Sequence, residues 1–281
     1  MILVFGRSGQ VARSLADVSD GRALVQLGRD AADLSDPIGC AAQIAHHKPE
    51  IVINAAAYTA VDRAEDEEAQ ARVVNGDSPG AMARACADLD IPFLHISTDY
   101  VFAGSGTAAH APSDPVDPVN AYGRTKRAGE DAVRAAGGTH VILRTSWVFS
   151  EYGANFVKTM LRLSDSRDAL SVVDDQIGGP TPARGIASTL LTMADALRGG
   201  HKGGTFHYVG APDTSWAGFA RAIFERSGRT VDVTGIPTED YPTPAARPLN
   251  SRLDCTTTRT EFGIAPADWQ ADLTRILKDL T

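Results

Sequence analysis

The first twelve residues, MILVFGRSGQVA (1–12), decide the fold class. An apolar run of strand length, 2–5, leads directly into Gly6, Gly9 and Ala12, which follow at intervals of three residues. Small residues at this spacing let the chain turn tightly from a strand into a helix and let its backbone approach a pyrophosphate. The unpaired N–H groups and the dipole of a helix N-terminus favour such an anion. The stretch therefore predicts a strand–turn–helix unit that binds a dinucleotide, with a plain glycine turn as the alternative.

Apolar runs of strand length recur through the first half of the chain and alternate with helical patterns. The runs cover 2–5, 22–27, 50–54, 91–97 and 139–145, and the helical patterns follow Gly9 and cover 37–47, 66–90 and 121–136. Repeated alternation of this kind predicts a parallel sheet with helices on both faces. We therefore expect an α/β fold with a Rossmann-type doubly wound parallel sheet.

The regular alternation ends near residue 150. Prolines then become frequent, two helical patterns cover 183–198 and 215–227, and 235–258 has the pattern of an extended, loop-rich passage. Loops of this density are typical of a smaller C-terminal substrate-binding domain.

Composition and charge exclude several classes of protein. The 281 residues are 43% hydrophobic and 22% charged, which excludes a disordered or fibrous chain. A net charge of -8 without a basic cluster argues against a nucleic-acid or anionic-membrane partner. Cys40, Cys86 and Cys255 are too far apart for a metal or redox motif, and no apolar stretch reaches the roughly 18 residues of a membrane span. Because the chain also enters a strand at its first residues, leaving no room for a signal peptide, we expect a cytoplasmic protein.

The end of the second predicted strand bears on the choice between NAD and NADP. An acidic residue at this point binds the ribose 2′-hydroxyl of NAD, whereas an Arg tolerates a 2′-phosphate. The chain has Gly28 followed by Arg29, which favours NADPH as the cofactor, with NADH possible. Asp33 is an expected contact on the adenine side. A solvated Arg29 without a ligand is the alternative.

Tyr122 and Lys126 are four residues apart and therefore lie on one face of a predicted helix. A Tyr with a usual pKa of about 10 becomes a usable acid–base catalyst when a nearby cation stabilises its phenolate. Thr98 and Asp99 lie at the carboxyl end of the fourth predicted strand, where ligands of open α/β sheets bind. These residues predict an active site, although a Tyr and a Lys at this spacing also arise by chance.

The chain resembles the extended short-chain dehydrogenase/reductase family, and within it the rhamnose-forming reductases. The resemblance runs over nearly the whole chain through these motifs in order: GRSGQVA, NAAAYTAVDRAE, STDYVF, YGRTK, LRTSWVF at 143–149, NFVKTMLRL at 155–163, DDQIGGPT at 174–181 and YPTPAARPLNSRLD at 241–254. It implies that NADPH reduces the C4 ketone of a dTDP-linked 4-keto deoxysugar.

The resemblance also implies roles for individual residues. Tyr122 would protonate the carbonyl oxygen, and Lys126 would lower the pKa of Tyr122 and bind the nicotinamide ribose. Thr98 would orient the phenol. The other implied contacts are Gly9, Gln10 and Val11 for the pyrophosphate, Ala57, Tyr58 and Thr59 for the middle of the cofactor, and Thr98, Asp99, Trp147, Arg247, Asn250 and Ser251 for the substrate. A core position is the alternative for Trp147, and tight packing under a helix is the alternative for the small residues at 54–59.

One residue separates this reaction from its neighbours in the family. Related nucleotide-sugar dehydratases carry Glu after the Asp that corresponds to Asp99, whereas this chain has Tyr100. Two alternatives stay open. One is an NADP-binding regulatory subunit like the methionine adenosyltransferase beta subunit, which needs no polarised phenol, and the other is a nucleotide-sugar epimerase.

Domain boundaries and assembly are further expectations from the resemblance. Residues 1–150 would form mainly the NAD(P)-binding domain, taking back segments from about 165–208, and 151–281 would form mainly the discontinuous substrate-binding domain. Some related reductases pair through a divalent ion held by carboxylates. Because Arg13, Ser14 and Arg184 occupy the corresponding positions here, we expect no metal and a monomer or weak homodimer.

Overall fold

The computed structural model describes residues 1–280. Its helices are α1 (Gln10–Asp17), α2 (Pro37–His47), α3 (Arg63–Asp66), α4 (Glu68–Arg72), α5 (Ser78–Asp88), α6 (Ala121–Ala135), α7 (Phe156–Ser164), α8 (Ala183–Arg198), α9 (Trp216–Ser227), α10 (Thr256–Phe262) and α11 (Trp269–Leu280). Its strands are β1 (Ile2–Phe5), β2 (Leu24–Leu27), β3 (Ile51–Asn54), β4 (Phe93–Thr98), β5 (His140–Thr145), β6 (Val148–Phe149), β7 (Ala169–Val173), β8 (Ile177–Gly178), β9 (Thr181–Pro182), β10 (Gly203–His207), β11 (Gly210–Ala211), β12 (Thr214–Ser215), β13 (Asp232–Ile236), β14 (Asn250–Ser251) and β15 (Ala267–Asp268).

Six parallel strands form the central sheet in the order β10-β5-β4-β3-β1-β2. Successive side chains of a strand point to opposite faces, so both faces of a covered sheet are apolar. Val4 packs with α1 and α8 on one face, while Leu3 and Phe5 pack with α2 and α5 on the other. This arrangement confirms the predicted α/β fold with a Rossmann-like, mostly parallel sheet.

The strand order reverses between β1 and β3. The chain leaves β1 for β2 on one side and then crosses over to β3 on the other side. In open α/β sheets such a switch point opens a crevice at the carboxyl ends of the two strands, and ligands bind there. The turns after β1 and β3 therefore lie at the edge of the sheet where a binding site is expected.

A separate hydrophobic cluster lies under α7, α9 and α11. Phe219 and Trp269 lie in this cluster with side chains of β7 and β13, which form a parallel pair outside the central sheet. The segment 165–208 was predicted to return to the NAD(P)-binding domain. Of its elements, β7 belongs to this smaller unit, whereas α8 packs on α1 and β10 pairs with β5 of the central sheet. The division into two domains stays a prediction.

The helix predicted over 66–90 is interrupted in the structure. A π-helical stretch, Val73–Asp77, separates α4 from α5. At its centre the Asn75 side chain accepts the Tyr58 N–H at 2.8 Å and donates to the Tyr58 carbonyl at 3.0 Å and to Thr125 Oγ1 at 3.1 Å. Single π-helical turns are frequent at functional sites, and this one ties the loop after β3 to α6. Within residues 1–280, no helix is both long and apolar enough to cross a bilayer.

Candidate active site

A cleft of about 890 Å³ runs along the carboxyl ends of β1, β3, β4 and β5. Most of the residues predicted for the site line it. They are Gly6, Gly9, Gln10, Val11, Arg29, Ala57, Thr59, Thr98, Asp99, Tyr122, Lys126 and Trp147. The structure therefore brings the glycine turn and the Tyr–Lys pair to one cavity, and their individual roles stay predictions.

The turn after β1 is shaped to receive an anion. Gly6 has a φ of 121°, and a Cβ at this position would lie 3.3 Å from the backbone of Ala55. Arg13 N–H makes the first hydrogen bond of α1, to the carbonyl of Gly9 at 3.0 Å, so the N–H groups of 10–12 precede the helical ladder. Gly9 is the N-cap and has no side chain with which to cap them. Such free N–H groups at a helix N-terminus suit a pyrophosphate.

Arg7 is a cleft residue that the sequence analysis missed. Its guanidinium binds both carboxylate oxygens of Asp30, at 2.8 and 3.3 Å. It lies over Gly28, where a Cβ would be only 2.8 Å from Arg7 Cζ. With Arg29, which also lines the cleft, it places two guanidinium groups near the end of β2. A signal existed in the sequence, because Arg7 lies inside the glycine turn itself.

Asp33 lies beside the cleft and does not line it. Its carboxylate accepts the Ser35 N–H at 2.9 Å and pairs with Arg29 at 3.5 Å. The hydrogen bonds from Ser35 and the nearby guanidinium lower the pKa of Asp33. The predicted adenine contact of Asp33 therefore stays a prediction.

Tyr122 lies in the first turn of α6. The helix begins there because the Asn120 side chain accepts the Gly123 N–H at 2.8 Å as an N-cap. The Tyr122 ring packs edge-on against Tyr100 with 5.6 Å between ring centroids. Burial raises the pKa of Tyr122, and its hydrogen bond with the Thr98 side chain acts in the opposite direction. At neutral pH the phenol therefore holds its proton.

Lys126 lies in the same cleft, but its ammonium points toward β4. Nζ donates to the Ile96 carbonyl at 2.7 Å and lies 3.3 Å from His95 Nε2. Burial lowers the pKa of Lys126 to about 8. Burial, Thr98 and Asp99 shift the pKa of Tyr122 in this structure, and the expectation that Lys126 lowers this pKa stays a prediction.

Asp99 is a buried carboxylate beside the phenol. Thr98 Oγ1 donates to Asp99 Oδ1 at 3.0 Å and accepts the Tyr100 N–H at 3.2 Å. Burial raises the pKa of Asp99 to about 6, although hydrogen bonds from Ser251 and Thr98 oppose this effect. Asp99 Oδ2 has no hydrogen-bond partner among the described residues. The carboxylate can therefore accept a further donor, such as a sugar hydroxyl.

Aromatic side chains form one wall of the cleft. Trp147 stacks on Trp216 with 3.7 Å between ring centroids and an interplanar angle of 14°, and Phe156 contacts Trp216 at 4.6 Å. Trp147 has a left-handed φ of 49°, a strained conformation that often marks a functional site. The sequence analysis missed Trp216, since no local pattern shows that the start of α9 reaches the loop after β5.

Besides Asp33, four predicted site residues bind other protein groups and do not line the cleft. The Tyr58 hydroxyl donates to Glu67 at 2.6 Å, and Arg247 donates to both oxygens of Asp62 at 2.8 Å. Asn250 donates to the Ala108 carbonyl at 2.7 Å, and the side chain of its neighbour Ser251 contacts Asp99. Their expected contacts with cofactor or substrate stay predictions.

The first helix has an aromatic contact where a carboxylate ligand was considered. The Arg13 guanidinium lies 3.9 Å above the Tyr152 ring, and the Tyr152 hydroxyl donates to Asp17 at 2.8 Å. In the part of the chain that the structure describes, no three His, Cys, Asp or Glu residues are grouped as metal ligands. The oligomeric state stays a prediction.

Comparison with known proteins identifies the family. The family model described as the RmlD substrate binding domain matches residues 1–281. The dTDP-4-dehydrorhamnose reductase of Burkholderia thailandensis is 44% identical over 297 residues, covering 99% of this chain and 98% of that protein.

Two solved structures are similar in both sequence and fold. A dTDP-4-dehydrorhamnose reductase from Clostridium acetobutylicum has a TM-score of 0.94 and 34% identity, with 99% of each chain covered. The dTDP-4-dehydrorhamnose reductase from Bacillus anthracis in complex with NADP has a TM-score of 0.93 and 31% identity, covering 99% of this chain and 98% of that chain. The chain therefore belongs to the RmlD substrate binding domain family, which includes these dTDP-4-dehydrorhamnose reductases.

Proposed function

We propose that the protein reduces the C4 ketone of dTDP-4-dehydro-L-rhamnose with NADPH, giving dTDP-L-rhamnose, and that Tyr122 is the proton donor. The observation that carries this proposal is the placement of Tyr122, hydrogen-bonded to Thr98, in the same cleft as the glycine turn. The names of the relatives support the reaction, and the NADP complex of the Bacillus anthracis protein supports the cofactor.

The residues of the glycine turn fit a dinucleotide. The left-handed Gly6 and the uncapped N–H groups of 10–12 would hold the pyrophosphate. Arg7 and Arg29 would bind the 2′-phosphate, which favours NADPH over NADH. When bound, NADPH supplies the hydride that reduces the ketone.

The side chains of the cleft would supply the proton. As the hydride forms the new C–H bond at C4, the electron pair of the C=O π bond moves to the oxygen, which takes the Tyr122 proton and becomes the hydroxyl. The phenolate left on Tyr122 would accept a hydrogen bond from the Thr98 hydroxyl, whose hydrogen would turn toward it from Asp99. Lys126, one helical turn away in the same cleft, is the nearby cation that would stabilise this anion.

Asp99 and the aromatic wall would orient the sugar. The Asp99 carboxylate, with its free Oδ2, would accept a hydrogen bond from a sugar hydroxyl. The stacked Trp147 and Trp216 would pack against the apolar face of the deoxysugar. Both contacts would place the ketone between the nicotinamide and Tyr122.

Tyr122→Phe tests the proton donor, and Tyr100→Phe is the matched control because it removes a hydroxyl from the neighbouring phenol. Turnover is followed as the loss of NADPH absorbance with dTDP-4-dehydrorhamnose. Tyr122→Phe should lower kcat by at least about a hundredfold while NADPH still binds. The decrease of kcat in Tyr100→Phe should be at least about tenfold smaller. Near-normal turnover of Tyr122→Phe would contradict the donor role.

The same assay separates the alternatives. NADPH binding by the unaltered protein without turnover of any 4-keto nucleotide sugar would favour a regulatory subunit. Interconversion of nucleotide-sugar epimers without net NADPH consumption would favour an epimerase. For the cofactor, kcat/KM should be higher with NADPH than with NADH, and Arg7→Ala should reduce that preference.

A further inference from the structure

Three buried polar side chains form a hydrogen-bonded chain behind the cleft. Asn54 ends β3, His95 is its partner on the neighbouring strand β4, and Lys126 approaches from α6. Asn54 Nδ2 lies 3.2 Å from His95 Nδ1, and His95 Nε2 lies 3.3 Å from Lys126 Nζ. The three side chains are at most 2% exposed, so water does not compete for these contacts.

The backbone fixes the direction of the first hydrogen bond. Asn54 Oδ1 accepts the Ala56 N–H at 3.1 Å, which turns the Nδ2 donor toward His95. His95 Nδ1 must then accept, and a neutral imidazole with an accepting Nδ1 carries its hydrogen on Nε2. That hydrogen points at Lys126 Nζ. Only the neutral amine has a lone pair with which to accept it, because an ammonium is a donor alone.

We propose that Asn54 fixes His95 with Nδ1 as the acceptor and Nε2–H as the donor, and that this arrangement favours the neutral amine of Lys126. The pair thereby sets the pH range in which this lysine is charged. If Lys126 is an ammonium, two donors face each other somewhere along the chain. If it is an amine, every contact from Ala56 to the Ile96 carbonyl pairs a donor with an acceptor.

Burial keeps His95 from escaping this constraint. Its pKa lies well below the usual value, because burial and the Lys126 charge both oppose protonation. The ring also stacks on Phe93, with 6.2 Å between ring centroids. His95 therefore stays a neutral imidazole, with one donor and one acceptor, and its polarity is set by Asn54.

Other charged groups around α6 are engaged elsewhere or act in the opposite direction. Glu130, one turn along α6, raises the pKa of Lys126, but its carboxylate is bound by Arg144 of β5 at 2.7 and 2.8 Å and by Arg134. Burial and Glu130 are the causes of the shifted pKa of Lys126. The other charged or titratable groups on α6 and on the elements packed against it are not among these causes; they are Arg63, Glu65, Asp66, Glu68, Arg72, Asp77, Arg84, Cys86, Asp88, Asp99, Tyr100, Tyr122, Arg124, Arg127, Asp131 and His140. Asn54 and His95 form the contact that reaches Nζ directly.

The catalytic consequence rests on the proposed function. Only the ammonium form of Lys126 can stabilise the Tyr122 phenolate, so reduction should weaken at a pH at which Lys126 becomes neutral. The protonation of Lys126 is itself independent of whether the protein is a reductase. The experiment below therefore reads the lysine directly.

Lysine-specific NMR can follow this side chain in the folded protein. The chain has five lysines, and of these Lys126 is buried while the other four are at least partly exposed. The protein is labelled with 13C at lysine Cε, and each signal is titrated with pH. Loss of one signal in Lys126→Arg assigns it.

Asn54→Asp is the decisive variant because it keeps the shape of the side chain and replaces the donor that faces His95 by an acceptor. A carboxylate accepts both the Ala56 N–H and an Nδ1–H of His95, which leaves Nε2 to accept from the ammonium. We expect the Lys126 midpoint near pH 8 in the unaltered protein and at least about one pH unit higher in Asn54→Asp. His95→Gln, whose amide can turn either way, should also raise the midpoint.

Asn155→Asp is the matched control, because it makes the same change where the side chain contacts Gln10 and Lys158 but not Lys126. Its Lys126 midpoint should equal that of the unaltered protein. Titration of Lys126 together with the other four lysines would overturn the proposal. So would unchanged midpoints in folded Asn54→Asp and His95→Gln, whatever their activity. A moved midpoint with an unchanged alkaline limb of kcat would instead count against the proposed role of Lys126 in reduction.

Discussion

Replacing Asp99 by Asn should stabilise the protein at neutral pH and have little effect in acid. The carboxyl group is 3% exposed, and burial raises its pKa from 3.8 to about 6. A group whose pKa is higher in the folded state favours folding while it is protonated. Its stabilising contribution is complete below about pH 4 and is lost as the pH rises to about 6. Above that pH the unfolding free energy is about 3 kcal/mol lower than it would be with the carboxyl protonated, because the ionised carboxylate is buried.

The assay is urea unfolding at pH 5 and at pH 7.5. Asp99→Asn removes the ionisable group while keeping an oxygen that can accept from Thr98. The gain in unfolding free energy should reach about 3 kcal/mol at pH 7.5 and about half of that at pH 5. Asp117→Asn, which removes a carboxylate from an exposed position, is the control and should show no such gain.

Two results would refute this reasoning. The first is an Asp99→Asn variant that is no more stable than the unaltered protein at pH 7.5, because burial would then impose no cost on the carboxylate. The second is a gain of equal size at both pH values, because a packing effect does not titrate. A variant that is stabilised and at the same time loses turnover would show that the carboxylate at this position lowers stability but is needed for activity.

Three further changes test the fold and the site. Glu130→Gln leaves a buried arginine without its anion and should lower the unfolding free energy by about 3–5 kcal/mol in urea, whereas a loss under about 1 kcal/mol would contradict this. Gly6→Ala should lower the unfolding free energy by about 1–3 kcal/mol because of the left-handed φ, and it should weaken NADPH binding. Gly9→Ala, whose Cβ has open space, is the control and should keep the stability. Equal stability of the two variants would refute the strain at Gly6. Asp62→Asn releases Arg247 and should tighten dTDP binding by up to about tenfold in calorimetry, whereas weaker binding would show that the pair only holds its loop.

Much of the fold was predictable because its signals are local. The strand from Ile2 to Phe5 and the small residues after it define the first turn, and the structure places Gly6 there with the positive φ that only glycine adopts easily. The predicted second helix and the helix of Tyr122 begin where the structure begins them, because Asp36 and Asn120 cap their N-termini. Caps and periodicity act over a few residues, so they can be read from the sequence alone.

The interrupted helix was not predictable, because its cause is a contact between distant segments. The stretch from Val73 to Asp77 leaves the α-helical ladder where Asn75 binds the backbone of Tyr58. A helical period in the sequence reports which face is apolar and carries no information about such a contact. The partners of Arg247 and of Trp216 were missed for the same reason.

The direction of the Lys126 side chain shows the same limit within the site. The four-residue spacing places Tyr122 and Lys126 on one helix face, and the structure has both in the cleft. The spacing does not show whether the flexible amine extends toward the phenol or toward β4, and this depends on the carbonyl of Ile96 and on His95. Sequence therefore predicted which residues meet in the cleft but not the charge that each of them carries.

Burial acts on Asp99, Lys126 and Tyr122, three of the ionisable groups of the cleft, in one direction, toward the neutral form. It raises the pKa of Asp99 to about 6, lowers that of Lys126 to about 8, and holds the phenol of Tyr122 protonated well beyond that range. Between about pH 6 and about pH 8 the cleft therefore contains the Asp99 carboxylate, the Lys126 ammonium and the protonated Tyr122 phenol together. Below this range the sugar would lose its anionic acceptor, and above it the phenolate would lose its cation. A more exposed cleft would widen this range but would weaken each electrostatic interaction on which proton transfer depends, because water would screen them.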